Sequence, residues 1–126
     1  MRVLLIGFGG VLGATLRYWL SGVAQDLSPR SIFPVGTLTV NVLGCLAIGF
    51  IAELADARGV LSPDTRAFLI VGILGSFTTF SAFANETFSA MRDGAMGLAF
   101  INVLLSVGVC LLAVWGGRAL ANSLWS

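Results

Sequence analysis

The sequence predicts an all-α membrane protein of four transmembrane helices, the third of them broken near its midplane. Three observations carry that prediction. Of the 126 residues, 57% are hydrophobic and only 10% are charged, with a mean hydropathy of +0.97, whereas a soluble domain is about one quarter charged. The apolar residues fall into four runs, at about 3–22, 33–55, 66–90 and 95–121, each near the ~20 residues that one crossing requires. The third run holds Gly75-Ser76-Phe77-Thr78-Thr79-Phe80-Ser81-Ala82-Phe83, where a glycine and four hydroxyl residues weaken a helix that no water can repair. Broken backbone at membrane depth is tolerated only where it is buried in protein or lines a cavity. Many transporters use a mid-span break to present carbonyls and helix ends to an ion, so this stretch is read as an ion site.

Composition also excludes several functions. The whole chain, 1–126, makes a single four-span unit with little left for a soluble domain. Net charge is +1, without a basic or acidic block, so nucleic acid is not expected as a partner. With no histidine, and with Cys45 and Cys110 inside apolar runs, zinc sites, haem attachment and histidine-based nucleophiles are not expected, and neither is an enzyme. Thiols in such runs ordinarily act as small packing residues.

The first run follows Arg2 and resembles a signal peptide in length, but Gly7, Gly9, Gly10 and Gly13 are unusual there. It reads as the first span. Gly9 with Gly13, and Gly10 with Ala14, form small-xxx-small pairs that let another backbone approach. Arg17 has two readings, a snorkelling anchor or a charge at an aqueous mouth that draws in anions. A polar connector is expected over 24–32, and Pro34 and Gly36 open the second run. Asn41 is its one strongly polar residue at depth, with Thr37 four residues earlier on the same helical face. An intramembrane asparagine is either interhelical glue or, through its amide N–H groups, a donor to an anion.

Glu53, Asp56 and Arg58 lie at the next interface, with Gly59 as the helix stop. Ser62 is placed to cap the third helix, with Pro63 at its first position. After the break, Phe80 and Phe83 are three apart and share a face if the helix resumes. They serve either as lipid contacts and packing or as ring edges, the positive end of the aromatic quadrupole, aimed at a small anion. Arg92-Asp93-Gly94 makes the last turn. In the fourth run Asn102, Ser106 and Cys110 recur every four residues and trace one stripe, as glue or as part of an ion's path. Trp115 and Trp125 suit the headgroup zone.

With four spans, Arg2, Arg58, Arg66 and Arg118 share one side, and Arg17, Arg30 and Arg92 the other. Four against three gives almost no orientation signal under the positive-inside rule. Opposed copies could then pair about a two-fold axis in the membrane plane, bringing two breaks together.

Three segments carry a resemblance to a known family. Gly10-Val11-Leu12-Gly13-Ala14-Thr15-Leu16-Arg17-Tyr18, then Gly36-Thr37-Leu38-Thr39-Val40-Asn41-Val42-Leu43-Gly44, then Gly72 to Phe83 with Glu86 beyond, resemble the Fluc/CrcB fluoride channels. The resemblance covers the whole chain in length, span number and motif order. It implies an antiparallel, dual-topology homodimer in the bacterial inner membrane, with two fluoride pores that lower cytoplasmic fluoride by passive export. It implies that Phe80 and Phe83 face fluoride with their ring edges, that Asn41 donates to it, and that Thr79 and Ser81 add hydroxyl donors. Asn102, Ser106 and Cys110 match the family's fourth-helix polar track, and Arg17 its vestibule arginine. Gly75 and Thr78 match positions whose backbone carbonyls, from both subunits, hold a structural sodium that is not transported. Ala82 and Cys110 depart from the family, each standing where a hydroxyl residue is common.

The rival readings are a small four-span transporter and an accessory subunit. An exchanger of the small multidrug type needs a carboxylate deep in the first span, and none is there. A proton-coupled fluoride carrier fits less well because Glu86, the deepest acid, falls nearer an interface than the midplane. An accessory subunit would need no polar break.

Overall fold

The computed structural model describes residues 1–125. Four helical stretches, Arg2–Asp26, Val35–Ala57, Pro63–Arg92 and Met96–Leu124, are long and apolar enough to cross a membrane. The expected connector over 24–32 is shorter than its polarity suggested, because Gln25 and Asp26 continue the first helix. Gln25 Oε1 accepts the backbone N–H of Gly36 at 3.2 Å, so a polar side chain of the first helix ties down the start of the second.

The second helix widens into a π-type turn at Glu53–Ala57. Gly59 follows with φ +61°, a conformation that favours glycine, and Val60 N–H closes the end on Leu54 O at 3.1 Å. Ser62 Oγ accepts the Thr65 N–H at 3.1 Å with Pro63 at the first helical position. The third helix then departs from regular α geometry twice. Ala67–Leu74 winds as a π-type segment, a rare form that is frequently found at functional sites. After Gly75–Phe77, Thr78 (φ −82°, ψ 155°) and Thr79 (φ −147°, ψ 112°) are extended, and helix resumes over Phe80–Arg92.

In lipid, helices gain little by hiding apolar surface from their neighbours and associate through close packing and hydrogen bonds. The glycines show where that packing is closest. A Cβ on Gly9 would lie 2.7 Å from Phe68 O, and one on Gly72 would lie 2.9 Å from Ile6 O, so the first helix meets the π-type segment backbone to backbone. A Cβ on Gly13 would overlap Ile73 O and Ser76 Oγ. The second and fourth helices meet in the same way, since Cβ atoms on Gly49 and Gly117 would overlap Val114 O and Leu46 O. Gly10 meets nothing within 4 Å; of the two small-residue pairs on the first helix, only Gly9 with Gly13 forms a seam within the chain. The large apolar side chains, among them Phe8, Trp19, Phe100, Leu111 and Trp115, face outward, as suits surrounding lipid.

One end of the bundle carries an ionic cluster. Arg118 reaches Glu53 at 3.3 Å and Asp56 at 3.6 Å, and Arg66 reaches Asp56 at 3.2 Å. Arg2 pairs with Asp64 at 2.7 Å, and Arg58 donates to Asn122 Oδ1 at 2.8 Å and to Trp125 O. The Arg118–Glu53 pair and the Gly49–Val114 contact share one sequence offset, so the second and fourth helices run parallel and in register.

Candidate functional site

The site is built around the extended residues Thr78 and Thr79. The helix before them is loosened by its own hydroxyls: Ser76 Oγ donates to Gly72 O (2.7 Å), and Thr78 Oγ1 donates to Leu74 O (3.0 Å). Such back-bonding competes with the regular ladder. The Thr78 N–H also ends on Leu74 O, at 3.1 Å. One residue later the ladder is abandoned. The Thr79 N–H, which in a continued helix would close on Gly75 O, donates instead to Asn41 Oδ1 at 2.8 Å, while Asn41 Nδ2 donates to Thr79 O at 3.1 Å. A single side-chain amide thus takes the place of a peptide partner on both sides of Thr79. Thr79 Oγ1 then caps the resumed helix by accepting the Ala82 N–H at 3.1 Å.

Asn41, Thr78, Thr79, Phe80, Phe83 and Ser106 line a cavity of about 420 Å³, together with Gly75, Cys45 and Cys110. The rings of Phe80 and Phe83 lie 5.4 Å apart at 54°. Phe80 is 78% exposed, so packing within the chain does not require it. Ser81 is exposed and its Oγ lies 3.3 Å from Thr79 Oγ1, but it does not line the cavity. Asn41 has two amide protons and spends one on Thr79 O, leaving the other for a ligand.

Ser106 connects this cavity to a second, of about 390 Å³, lined by Pro34, Asn85, Glu86, Ser89, Asp93 and Asn102 among others. Ser106 Oγ donates to Asn102 Oδ1 (3.1 Å), Asn102 Nδ2 to Thr87 Oγ1 (2.8 Å), and Thr87 Oγ1 to Phe83 O (2.8 Å). Asn102 and Ser106 are both buried, so the fourth-helix stripe is tied to the resumed third helix rather than turned to lipid. Glu86 accepts from Thr37 Oγ1 at 2.6 Å through Oε1, and its Oε2 is buried without a hydrogen-bond partner among the described residues. Arg17 lines neither cavity and has no ion pair or hydrogen bond among the described residues.

Sequence reasoning missed the Thr87 link, the Thr37–Glu86 bond and the place of Cys45 in the cavity wall. Thr87 was findable, lying four residues after Phe83 on one helical face. Nothing in the sequence paired Asn41 with Thr79, 38 residues away.

Chemically, the cavity wall offers an amide N–H, hydroxyls and two phenylalanine rings on an otherwise apolar lining, with no carboxylate. Such a wall suits a small, hard anion better than a cation. The model of the CrcB-like protein family (Camphor Resistance, CrcB) matches residues 4–118. A protein of Methylobacillus flagellatus described as a fluoride-specific ion channel FluC is 43% identical over 121 residues, 96% of this chain and 94% of the relative. One of Geotalea daltonii with the same description is 45% identical over 120 residues, 95% and 96% of the two chains. A fluoride-specific ion channel FluC 3 of Methanosarcina barkeri is 43% identical over 119 residues, 94% and 89%.

Proposed function

The chain belongs to the CrcB family, and from that membership we propose that this multi-pass membrane protein is a fluoride-selective channel of the bacterial inner membrane that lowers cytoplasmic fluoride by passive export. The observation that supports it most is the pair of hydrogen bonds between Asn41 and Thr79. By fixing the break, they hold Phe80 and Phe83 beside the one side-chain amide in the cavity and leave an N–H of that amide to spare. Fluoride entering the cavity would exchange water for this N–H, for the hydroxyl of Thr79 and for the ring edges, and Ser106 would donate to it on turning its one proton away from Asn102 Oδ1. Ser81 would serve from outside the cavity wall, Asn102 from the neighbouring one, and Arg17 as a vestibule charge that raises the local anion concentration. Larger anions hold their charge farther from these donors and would gain less from them than fluoride does.

Fluoride crosses membranes as the neutral acid and is trapped as the anion in a neutral cytoplasm, so a passive pathway driven by membrane voltage suffices to remove it. Two copies in opposed orientation would place their third-helix breaks together. In that pair the backbone carbonyls of Gly75 and Thr78 would hold a structural sodium. Both residues line the cavity, the Thr79 N–H has turned away from Gly75 O, and Thr78 has left helical geometry; free carbonyl oxygens are the donors a hard cation takes. When bound, sodium supplies a fixed positive charge that offsets part of the cost of bringing an anion into a low-dielectric site.

The test is efflux from liposomes carrying the purified protein, with a potassium ionophore setting the voltage. Voltage-driven loss of fluoride with chloride retained is the expected result. Retention of both ions by a well-folded dimer would overturn the channel reading and favour an accessory subunit. Sodium has its own test: exhaustive removal should abolish activity, and full activity in its absence would remove it from the mechanism.

A further inference from the structure

Cys45 and Cys110 stand at the same level on the two in-register helices. Their separation equals that of Glu53 and Arg118, which form an ion pair, and that of Gly49 and Val114, where a Cβ would overlap main chain. One turn before that closest approach lie the two cysteines. Both are free, both are only half-buried, and both line the main cavity. Two thiols at one level thus share an open wall with the phenylalanine pair.

We propose that Cys45 and Cys110 form a dithiol site for a soft, thiophilic cation in the wall of this cavity. Coordination number selects the cation. Zinc in a structural site takes four ligands, and no group of three or more histidine, cysteine or acidic side chains is placed to share a metal among the described residues. Monovalent silver and copper(I) accept two thiolates in a near-linear arrangement, and thiolate is the ligand they prefer. Binding is a proton exchange: one Ag⁺ and two thiols give a bis-thiolate silver unit of net charge −1 and two protons released to solvent. No oxidant or reductant is needed. Fluoride flux should then fall, because a negative unit beside Phe80 and Phe83 repels an anion strongly at low dielectric. That consequence alone rests on the channel reading; the site does not.

The probe is silver nitrate added to the purified, full-length protein in chloride-free detergent buffer. We expect one silver per chain, loss of both thiols to a thiol-titrating reagent, and about two protons released per silver near neutral pH, where a free thiol is mostly protonated. Cys45→Ala and Cys110→Ser should each retain silver against a competing monothiol at least ~100-fold less well, because the second ligand is no longer supplied at high effective concentration. Two silvers per chain, one proton per silver, or equal retention by the single variants would overturn the dithiol site whatever the protein conducts. The proton count is read on the unmodified chain, so a variant that folds poorly does not decide the matter. Flux is read separately, in nitrate medium and against each protein's own metal-free rate. Silver bound as expected with fluoride flux unchanged would leave the site standing and remove the cavity from the ion's path.

Discussion

At the scale of single residues, Asn41 and the two phenylalanines do different work, and substitution should separate them. Phe80 lies mostly outside the packing of its own chain. Phe80→Ile is therefore expected to leave folding intact, and Phe80→Ile and Phe83→Ile are each expected to cut fluoride flux about tenfold or more, a barrier change of ~1.4 kcal/mol. Efflux from liposomes and size-exclusion behaviour measure the two halves of that statement, and normal flux in both variants would end the ring-edge proposal. Asn41 cannot be treated as a pore donor alone. Asn41→Leu strands both the N–H and the C=O of Thr79, and each buried group left unsatisfied costs ~1–3 kcal/mol. We expect a lowered thermal midpoint together with lost flux. A variant as stable as the parent would show that the Asn41–Thr79 pair does not hold the break.

At the scale of elements, the four spans were legible because length and apolarity suffice to define a membrane helix. The capped start at Ser62-Pro63 and the stop at Gly59 were legible because local chemistry dictates them. The π-type winding of Ala67–Leu74 was not, since its residues are ordinary helix material and it shows only beside the first helix. The glycines make the same point. Gly9 and Gly10 are equivalent in sequence, each with a small residue four positions on, yet one meets main chain and the other meets nothing. Which face of a helix becomes a seam is settled by its neighbours, not by its own period. Gly49→Ala should accordingly destabilise the protein by ~1–3 kcal/mol, typical of overpacking, because the obstructing atoms are Val114 main chain and cannot rotate away. Gly10→Ala should leave the thermal midpoint unchanged. A Gly49→Ala protein that melts with the parent would mean that the second and fourth helices can part without loss.

For the whole molecule, charge decides how the chain enters the membrane, and the structure alters how those charges count. Arg2, Arg58, Arg66 and Arg118 gather at one end, three of them paired with Asp64, Asp56 or Glu53 and the fourth bound to Asn122. At the other end, Arg17 and Arg30 have no ion pair among the described residues, and Arg92 pairs only with its neighbour Asp93. The paired arginines hold partners from other helices, whereas Arg30 and Arg92 do not; these two are therefore the positions at which orientation can be changed with least disturbance to the structure. Under the proposed opposed pairing, Arg30→Gln with Arg92→Gln removes positive charge from one end and should commit most chains to a single orientation. Such chains should fold yet lack partners, and fluoride resistance in cells should fall. Co-expression with a chain biased the other way, by lysines at Ser28 and Ser31 in the first connector, should restore it. Accessibility labelling of an added terminal tag reads the orientation directly. Full resistance from a chain shown to insert one way only would contradict the opposed dimer, and with it the two-copy sodium site, while leaving the Asn41–Thr79 cavity to be explained within one copy.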